Sequence, residues 1–208
     1  MKIVDVEQGS PEWLQARLGI PTTSCFDKLM TASLKPSTQA EVYQNKLVAE
    51  WYTGEPEYVY VNDAMARGTE LEPLGRASYE FATSKDVDQV GFIYRDDDKL
   101  VGCSPDGLCG DMGVEIKCPL PSTHVSYLLA GGLPAKYVGQ VQGSMLITGF
   151  DRWDFTSYCP GFPPLIITVK RDEKWQKAFA PLLDKFISDM LAKRDKIIEV
   201  VGKPAWME

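Results

Sequence analysis

The 208-residue chain has one histidine and five cysteines, and no Cys-x-x-Cys pair among them. An odd, unpaired set of thiols (25, 103, 109, 118 and 159) does not make a disulfide scaffold and fits a reducing compartment. No apolar run approaches the roughly 18 residues of a membrane span. Met1-Lys2-Ile3-Val4-Asp5 lacks the apolar stretch of a secretory leader, so a cytoplasmic location is expected. Repeats, low-complexity tracts and linkers are also missing, which argues against solenoid, collagen-like or disordered classes. Positive charge is in deficit, with a net charge of -7, so a generic basic nucleic-acid binder is not what composition suggests.

What is there is ordinary globular composition, 44% apolar and 25% charged, in a chain long enough to bury a core without metal or disulfides. The charge is uneven. Residues 60–120 carry 12 acidic and 6 basic residues, whereas residues 121–208 carry 9 acidic and 11 basic ones. Clustered carboxylates repel unless they are solvated or held by cations, and hard divalent ions prefer such oxygen ligands.

Along the chain, Ser10-Pro11-Glu12 has the pattern of a helix start, with Ser as N-cap and Pro in the first turn. Further helices are expected from Thr22 to Met30, over 38–53, and from Asp63 to Ser84 with a break or kink at Pro73. Two more are expected over 121–130 and 134–148. Strands are expected over 89–94, 100–103, 113–117, 154–158 and 165–169. Trp175, Phe179, Leu182, Leu183, Phe186, Ile187, Met190 and Leu191 recur at helical spacing and define a core-facing helix over about 172–196. The order implies an α/β fold with a mixed central sheet flanked by helices on both sides. We expect a single domain over 1–208: a helical part to about 85, a sheet core over about 86–170, and the last helix.

The chemistry concentrates at Ser104-Pro105-Asp106-Gly107 and Glu115-Ile116-Lys117. Pro and Gly set a turn that directs Asp106 outward. On a strand, Glu115 and Lys117 share one face while Ile116 points to the other, leaving its carbonyl as a hard oxygen ligand. Two carboxylates and an ammonium at a sheet edge suit metal-assisted phosphodiester hydrolysis, with Lys117 orienting or deprotonating a water. The acid-x-Lys pattern occurs three times, but Asp97-x-Lys99 sits in a polar turn and Asp172-x-Lys174 at a helix start. A surface ion pair is the plain alternative for Glu115 and Lys117. Cys103, Cys109, Cys118 and His124 fit no common zinc spacing.

These residues resemble the PD-(D/E)xK nuclease core, and their flanks resemble the lambda exonuclease and YqaJ-type viral recombinase family. The flanks are Trp13, Arg17-Leu18-Gly19, Thr23-Ser24, Gly68 through Glu72, Arg76, Glu80-Phe81, Cys103 through Cys109, Cys118-Pro119, Gln140-Val141-Gln142, Ser144-Met145 and Arg171 through Lys174. The resemblance runs over about residues 7–195 and implies a restriction-endonuclease-like core. It implies an Mg2+-dependent exonuclease, with two ions and Mn2+ as a substitute. This would digest linear duplex DNA processively from 5' to 3' and leave 3' single-stranded tails for annealing recombination. It assigns metal binding to Asp106, Glu115 and the Ile116 carbonyl, and the water to Lys117. Glu72 would assist a second metal, with Glu70 as the competing choice; Asp96 would be an extra carboxylate, and Gln140 would contact the water or the cleaved strand. Arg17, Ser24 and Ser104 would grip a terminal 5'-phosphate. A further family arginine is replaced by Thr123, leaving His124 as a candidate substitute donor. The resemblance also implies a homotrimeric ring and a single-strand annealing partner. The alternatives are a PD-(D/E)xK endonuclease of restriction or repair type and a catalytically silent DNA-end-binding module.

Overall fold

The computed structural model describes residues 1–31, 33–57 and 63–207. Seven strands form two sheets. The first joins β1 (Lys2–Val4), β2 (Phe92–Tyr94) and β3 (Gly102–Cys103), all antiparallel. The second has the order β4 (Gly107–Cys109), β5 (Met112–Lys117), β6 (Arg152–Ser157) and β7 (Leu165–Lys170). It is mixed, because β5 and β6 are parallel while its other pairs are antiparallel. The expected central sheet is therefore divided. The division falls at Ser104-Pro105-Asp106, where Pro105 has no N–H to give a ladder. That break leaves Ser104 and Asp106 outside both ladders, where both line the cleft described below.

Six α-helices surround the sheets: α1 (Pro11–Arg17), α2 (Ala40–Thr53), α3 (Asp63–Thr83), α4 (Pro121–Ala130), α5 (Val138–Thr148) and α6 (Glu173–Val201). Their ends follow local rules. The Ser10 hydroxyl accepts from Trp13 N, and the Asp172 carboxylate accepts from Lys174 N and Trp175 N. Gly149 closes α5 at φ 79°, a left-handed conformation that suits glycine.

Several elements differ from expectation. The segment after Thr22 is a 3-10 turn (Thr23–Lys28), not an α-helix. Pro73 does not interrupt α3; its ring lies on the exposed side and only one backbone donor is lost. β1 and β4 had no clear signal, being three residues each. α6 runs beyond 196 because Arg194 is buried there: its Nη2 donates to Gly19 O at 2.6 Å, and its guanidinium lies 5.0 Å from the Trp51 ring centre.

The predicted stripe of α6 does face the core. Trp175, Phe179, Leu183, Phe186, Ile187 and Met190 pack with Phe26, Leu29, Tyr43 and Leu47. Phe179 stacks on Trp175 with centroids 4.4 Å apart and meets Phe26 at 4.6 Å. This core fixes the 3-10 turn and α5 behind the cleft described below. A smaller cluster, Tyr79, Val114, Ile116 and Cys118, binds α3 to β5. Gly75 makes the close approach possible: a Cβ there would lie 2.9 Å from Ile116 Cγ2.

Truncating Phe179 to Ala removes a fully buried ring at the junction of α6 and the 3-10 turn, and should cost about 3–5 kcal/mol. Removing the Asp172 cap with Asp172→Ala should cost only about 1 kcal/mol. Urea unfolding of the two variants beside the parent tests that ranking.

Candidate active site

A cleft of about 1170 Å3 opens between α1, α3, α5 and the β4–β5 hairpin. The hairpin register pairs Gly107 with Val114, so Asp106, one residue earlier, comes opposite Glu115. Asp106 Oδ2 accepts from Ile116 N at 2.6 Å, which ties the turn to the strand. Alternation along β5 sends Val114 and Ile116 into the apolar cluster under α3. Glu115 and Lys117 line the cleft.

Glu115 is 1% exposed. Its Oε1 accepts from Gln140 Nε2 of α5 at 2.6 Å and forms an ion pair with the Lys117 ammonium. Its Oε2 is buried with no hydrogen-bond partner among the described residues. Burial pushes the Glu115 carboxyl up to about 8, aided by Asp106, although Lys117 pulls the other way. Burial likewise raises Asp106 against the opposing pull of Lys117 and the Ile116 N–H. For Lys117 burial alone would lower the pKa, but Glu115 and Asp106 outweigh it and hold the ammonium protonated well above the usual lysine range.

The buried Glu115, with its orphaned oxygen, and the half-buried Asp106 lie side by side and form an electron-rich corner that suits a cation. Among the described residues no three His, Cys, Asp or Glu side chains converge as a ready metal cage. The cleft instead offers the Asp106 and Glu115 carboxylates, oxygen donors of the kind a hard ion such as Mg2+ takes. The residues fit such an ion.

Glu72 of α3 lines the same cleft, and Glu70 lies exposed outside it. Arg76 Nη2 donates to Glu72 Oε1 at 2.8 Å. Burial and the Asp106 charge raise the Glu72 pKa, with Arg76 opposing. Asp96 is not brought to the cleft. It sits in the turn after β2, where it accepts from Arg95 Nε at 3.0 Å and Asp98 N at 3.2 Å, a turn-forming role.

At the other end of the cleft, Arg17 Nη1 and Trp13 Nε1 both donate to Ser104 Oγ, at 3.2 and 3.0 Å. The guanidinium lies 3.9 Å from the Trp13 ring centre. Among the described residues Arg17 has no carboxylate ion-pair partner, and burial lowers its pKa. Ser24 also lines the cleft, its Oγ 3.2 Å from Thr22 Oγ1. A half-buried, unpaired cation beside hydroxyl groups suits an anion.

His124 belongs elsewhere. It is fully buried between Ser157 Oγ, at 2.8 Å, and Pro163 O, at 3.2 Å, so it does not replace the missing phosphate donor. Those bonds also separate it from any cysteine-bound metal. Its neighbour Thr123 does not line the cleft. All five cysteines are free thiols.

Sequence reasoning missed three cleft residues. Gln8 Nε2 donates to Val90 O at 2.9 Å and Pro105 O at 2.8 Å, bracing the turn that carries Asp106. Gln89, with its amide oxygen turned toward Arg76, accepts from both terminal guanidinium nitrogens at 2.9 and 3.0 Å. Arg76 stood in the family-like text but without a role. Nothing local marks Gln8, which acts across 97 residues.

The divided mixed sheet, its flanking helices and the Asp106, Glu115 and Lys117 cluster define a restriction-endonuclease-like domain of the PD-(D/E)xK type. The model of the YqaJ-like viral recombinase domain matches residues 12–151, and the chain belongs to that family. LHK-Exo, solved with dAMP, is 32% identical over 93% of this chain and 98% of its own, with a TM-score of 0.84. A second structure, of the alkaline exonuclease LHK-Exo from Laribacter hongkongensis, is 34% identical. It covers 92% of this chain and 96% of its own, with a TM-score of 0.77. A phage-related exonuclease from Haemophilus somnus shares 13% identity over 84% of this chain and 96% of its own, at a TM-score of 0.63, and speaks to the fold alone. No curated protein matches the chain.

By raising the Glu115 pKa, burial makes a proton compete with a cation for this carboxylate. Divalent-metal affinity should therefore rise about tenfold per pH unit up to about 8 and level off above it. Mn2+ titrations followed by the electron paramagnetic resonance of the free ion check this, and Glu115→Gln should remove the dependence. A flat profile from pH 6 to 8 in the parent would contradict it.

Proposed function

We propose that the chain is an Mg2+-dependent exonuclease that digests one strand of linear duplex DNA from its 5' end and leaves a 3' single-stranded tail. The observation that carries this reading is a single cleft with a cation-seeking corner at one end and an anion-binding notch at the other. Ser104 of the notch and Asp106 of the corner are two residues apart on one rigid turn. Such spacing suits a terminal phosphate held beside the linkage to be cut. The relatives' names support it: LHK-Exo is an alkaline exonuclease and was solved with a mononucleotide.

In this reading Asp106, Glu115 and the Ile116 carbonyl would hold the metal, and Glu72 would serve a second ion or its waters. When bound, the metal supplies Lewis-acid charge at the phosphate and lowers the pKa of a water. Lys117 donates from its ammonium and so orients that water and offsets charge on the phosphate. Gln140 holds the Glu115 carboxylate in place. Arg17, Ser104 and Ser24 fix the 5'-phosphate, with Trp13 keeping the guanidinium flat against its ring. Titration of Glu115 near 8 gives a physical reason for an alkaline preference.

Processivity would come from a homotrimeric ring around the duplex, as the family resemblance implies. A ring can keep a basic bore and an acidic exterior, which reconciles DNA binding with a net charge of -7. In this reading the enzyme is cytoplasmic and a single nuclease domain, and the resemblance implies a single-strand annealing protein that takes up the exposed tail.

With Mg2+, end-labelled linear duplex bearing a 5'-phosphate should release mononucleotides from that end, and a closed circle should survive. Cutting of the circle would favour the endonuclease reading. Release from the 3' end would reverse the polarity. Lys117→Ala should lower the rate on the order of 10²- to 10⁴-fold while DNA-end binding persists. Arg17→Ala should erase the advantage of 5'-phosphate over 5'-hydroxyl ends. Binding of ends without any metal-dependent product from the parent would instead mean a silent module.

A further inference from the structure

Behind the cleft lies a second buried carboxylate that the reaction does not touch. Asp154 of β6 is 1% exposed and carries three donors. The Tyr79 hydroxyl donates to its Oδ2 at 2.6 Å, Lys85 Nζ to the same oxygen at 2.8 Å, and Thr168 Oγ1 to Oδ1 at 2.6 Å. Burial alone would raise its pKa, but these bonds hold it below the usual aspartate value. It is a paired, permanently charged anchor.

The anchor's partners identify its load. Tyr79 is on α3, seven residues after Glu72, which is two helical turns and so the same side of the helix. Lys85 follows the end of α3, so both ends of the last turn are tied to one carboxylate. Between Glu72 and Tyr79, Gly75 lets the helix rest directly on Ile116 of β5 and on Cys118 just after it. α3 is thus pressed on the sheet at Gly75 and bolted at Tyr79. Glu72, on the preceding turn, lines the same cleft as Asp106. Shape alone seats Gly75, and it permits sliding; a short charged hydrogen bond fixes position along and around the helix axis.

We propose that Asp154 is a positioning residue: through Tyr79 and Lys85 it sets the placement of Glu72 relative to the Asp106–Glu115 pair, and thereby the metal affinity of the site. This rests on the nuclease reading above. Tyr79→Phe removes only the hydroxyl and leaves Lys85 and Thr168 on Asp154, so the protein is expected to remain folded; Asp154→Asn is the harsher companion.

The test is a double-mutant cycle read by Mn2+ titration of the protein without DNA, with melting temperature measured in parallel. With Glu72 present, Tyr79→Phe should weaken Mn2+ binding about five- to tenfold, a loss of the size expected when residues share one network. In the Glu72→Gln background the same substitution should leave Mn2+ affinity unchanged, although it lowers the melting temperature equally in both backgrounds. Equal weakening in both backgrounds would reduce Asp154 to a stabilising anchor and overturn the proposal. Unchanged Mn2+ affinity with Glu72 present would overturn it too. Should Asp154→Asn fail to fold, Tyr79→Phe alone completes the cycle. A parent that binds Mn2+ but cleaves no DNA would fail the nuclease reading and leave this one standing on its own binding data.

Discussion

Asp106, half-buried, and Glu115, buried, are held opposite each other by the register of one short hairpin. Everything else in the cleft answers that constraint. Burial raises both carboxyl groups, and their charge in turn holds the Lys117 proton against the opposing effect of burial. Gln140 and Lys117 share a single oxygen of Glu115, and the other is left bare. An unsatisfied buried carboxylate oxygen costs stability, and the proposed cation site rests on that feature. The turn that creates the pair is supported from outside the sheet by Gln8 on the Pro105 carbonyl, and from β5 itself by Ile116 N on Asp106.

Two aspartate or glutamate residues on adjacent strands show how the same chemistry serves opposite ends. Glu115 and Asp154 are each 1% exposed. Asp154 has three donors and an acidic pKa; Glu115 has two donors on one oxygen and a pKa near 8. The first is complete within the fold. The second is complete only with something added. The anion end of the cleft shows the same incompleteness with reversed sign, since Arg17 has an aromatic ring and a hydroxyl but no carboxylate.

Much of this was legible from residue order. Alternation along β5 is a property of any strand, so Glu115 and Lys117 had to share a face and Ile116 had to oppose them. Pro105 and Gly107 announced the turn that carries Asp106, and the spacing of apolar residues in α6 announced its buried stripe, but the division of the sheet at that turn was not read. Other readings failed where local signals compete with packing. Asp96 looked equivalent to a catalytic acid by spacing, yet its neighbours offered it a turn to close. His124 looked like a spare donor, but the fold supplied Ser157 and Pro163 as partners inside the core. Pro73 had the mark of a helix break, and the helix absorbed it on its outer side.

Residue order by itself thus determined the hairpin, the faces of its side chains and the kind of ion they could attract, because those depend on steps of two to ten residues. Tertiary structure alone decided that Glu72 and not Glu70 or Asp96 joins the carboxylates, that Gln8 and Arg76 take part, and that Asp154 is satisfied while Glu115 is not. These outcomes depend on which distant elements meet. Whether a buried charge finds a donor is settled by geometry across the whole chain, which no local pattern encodes.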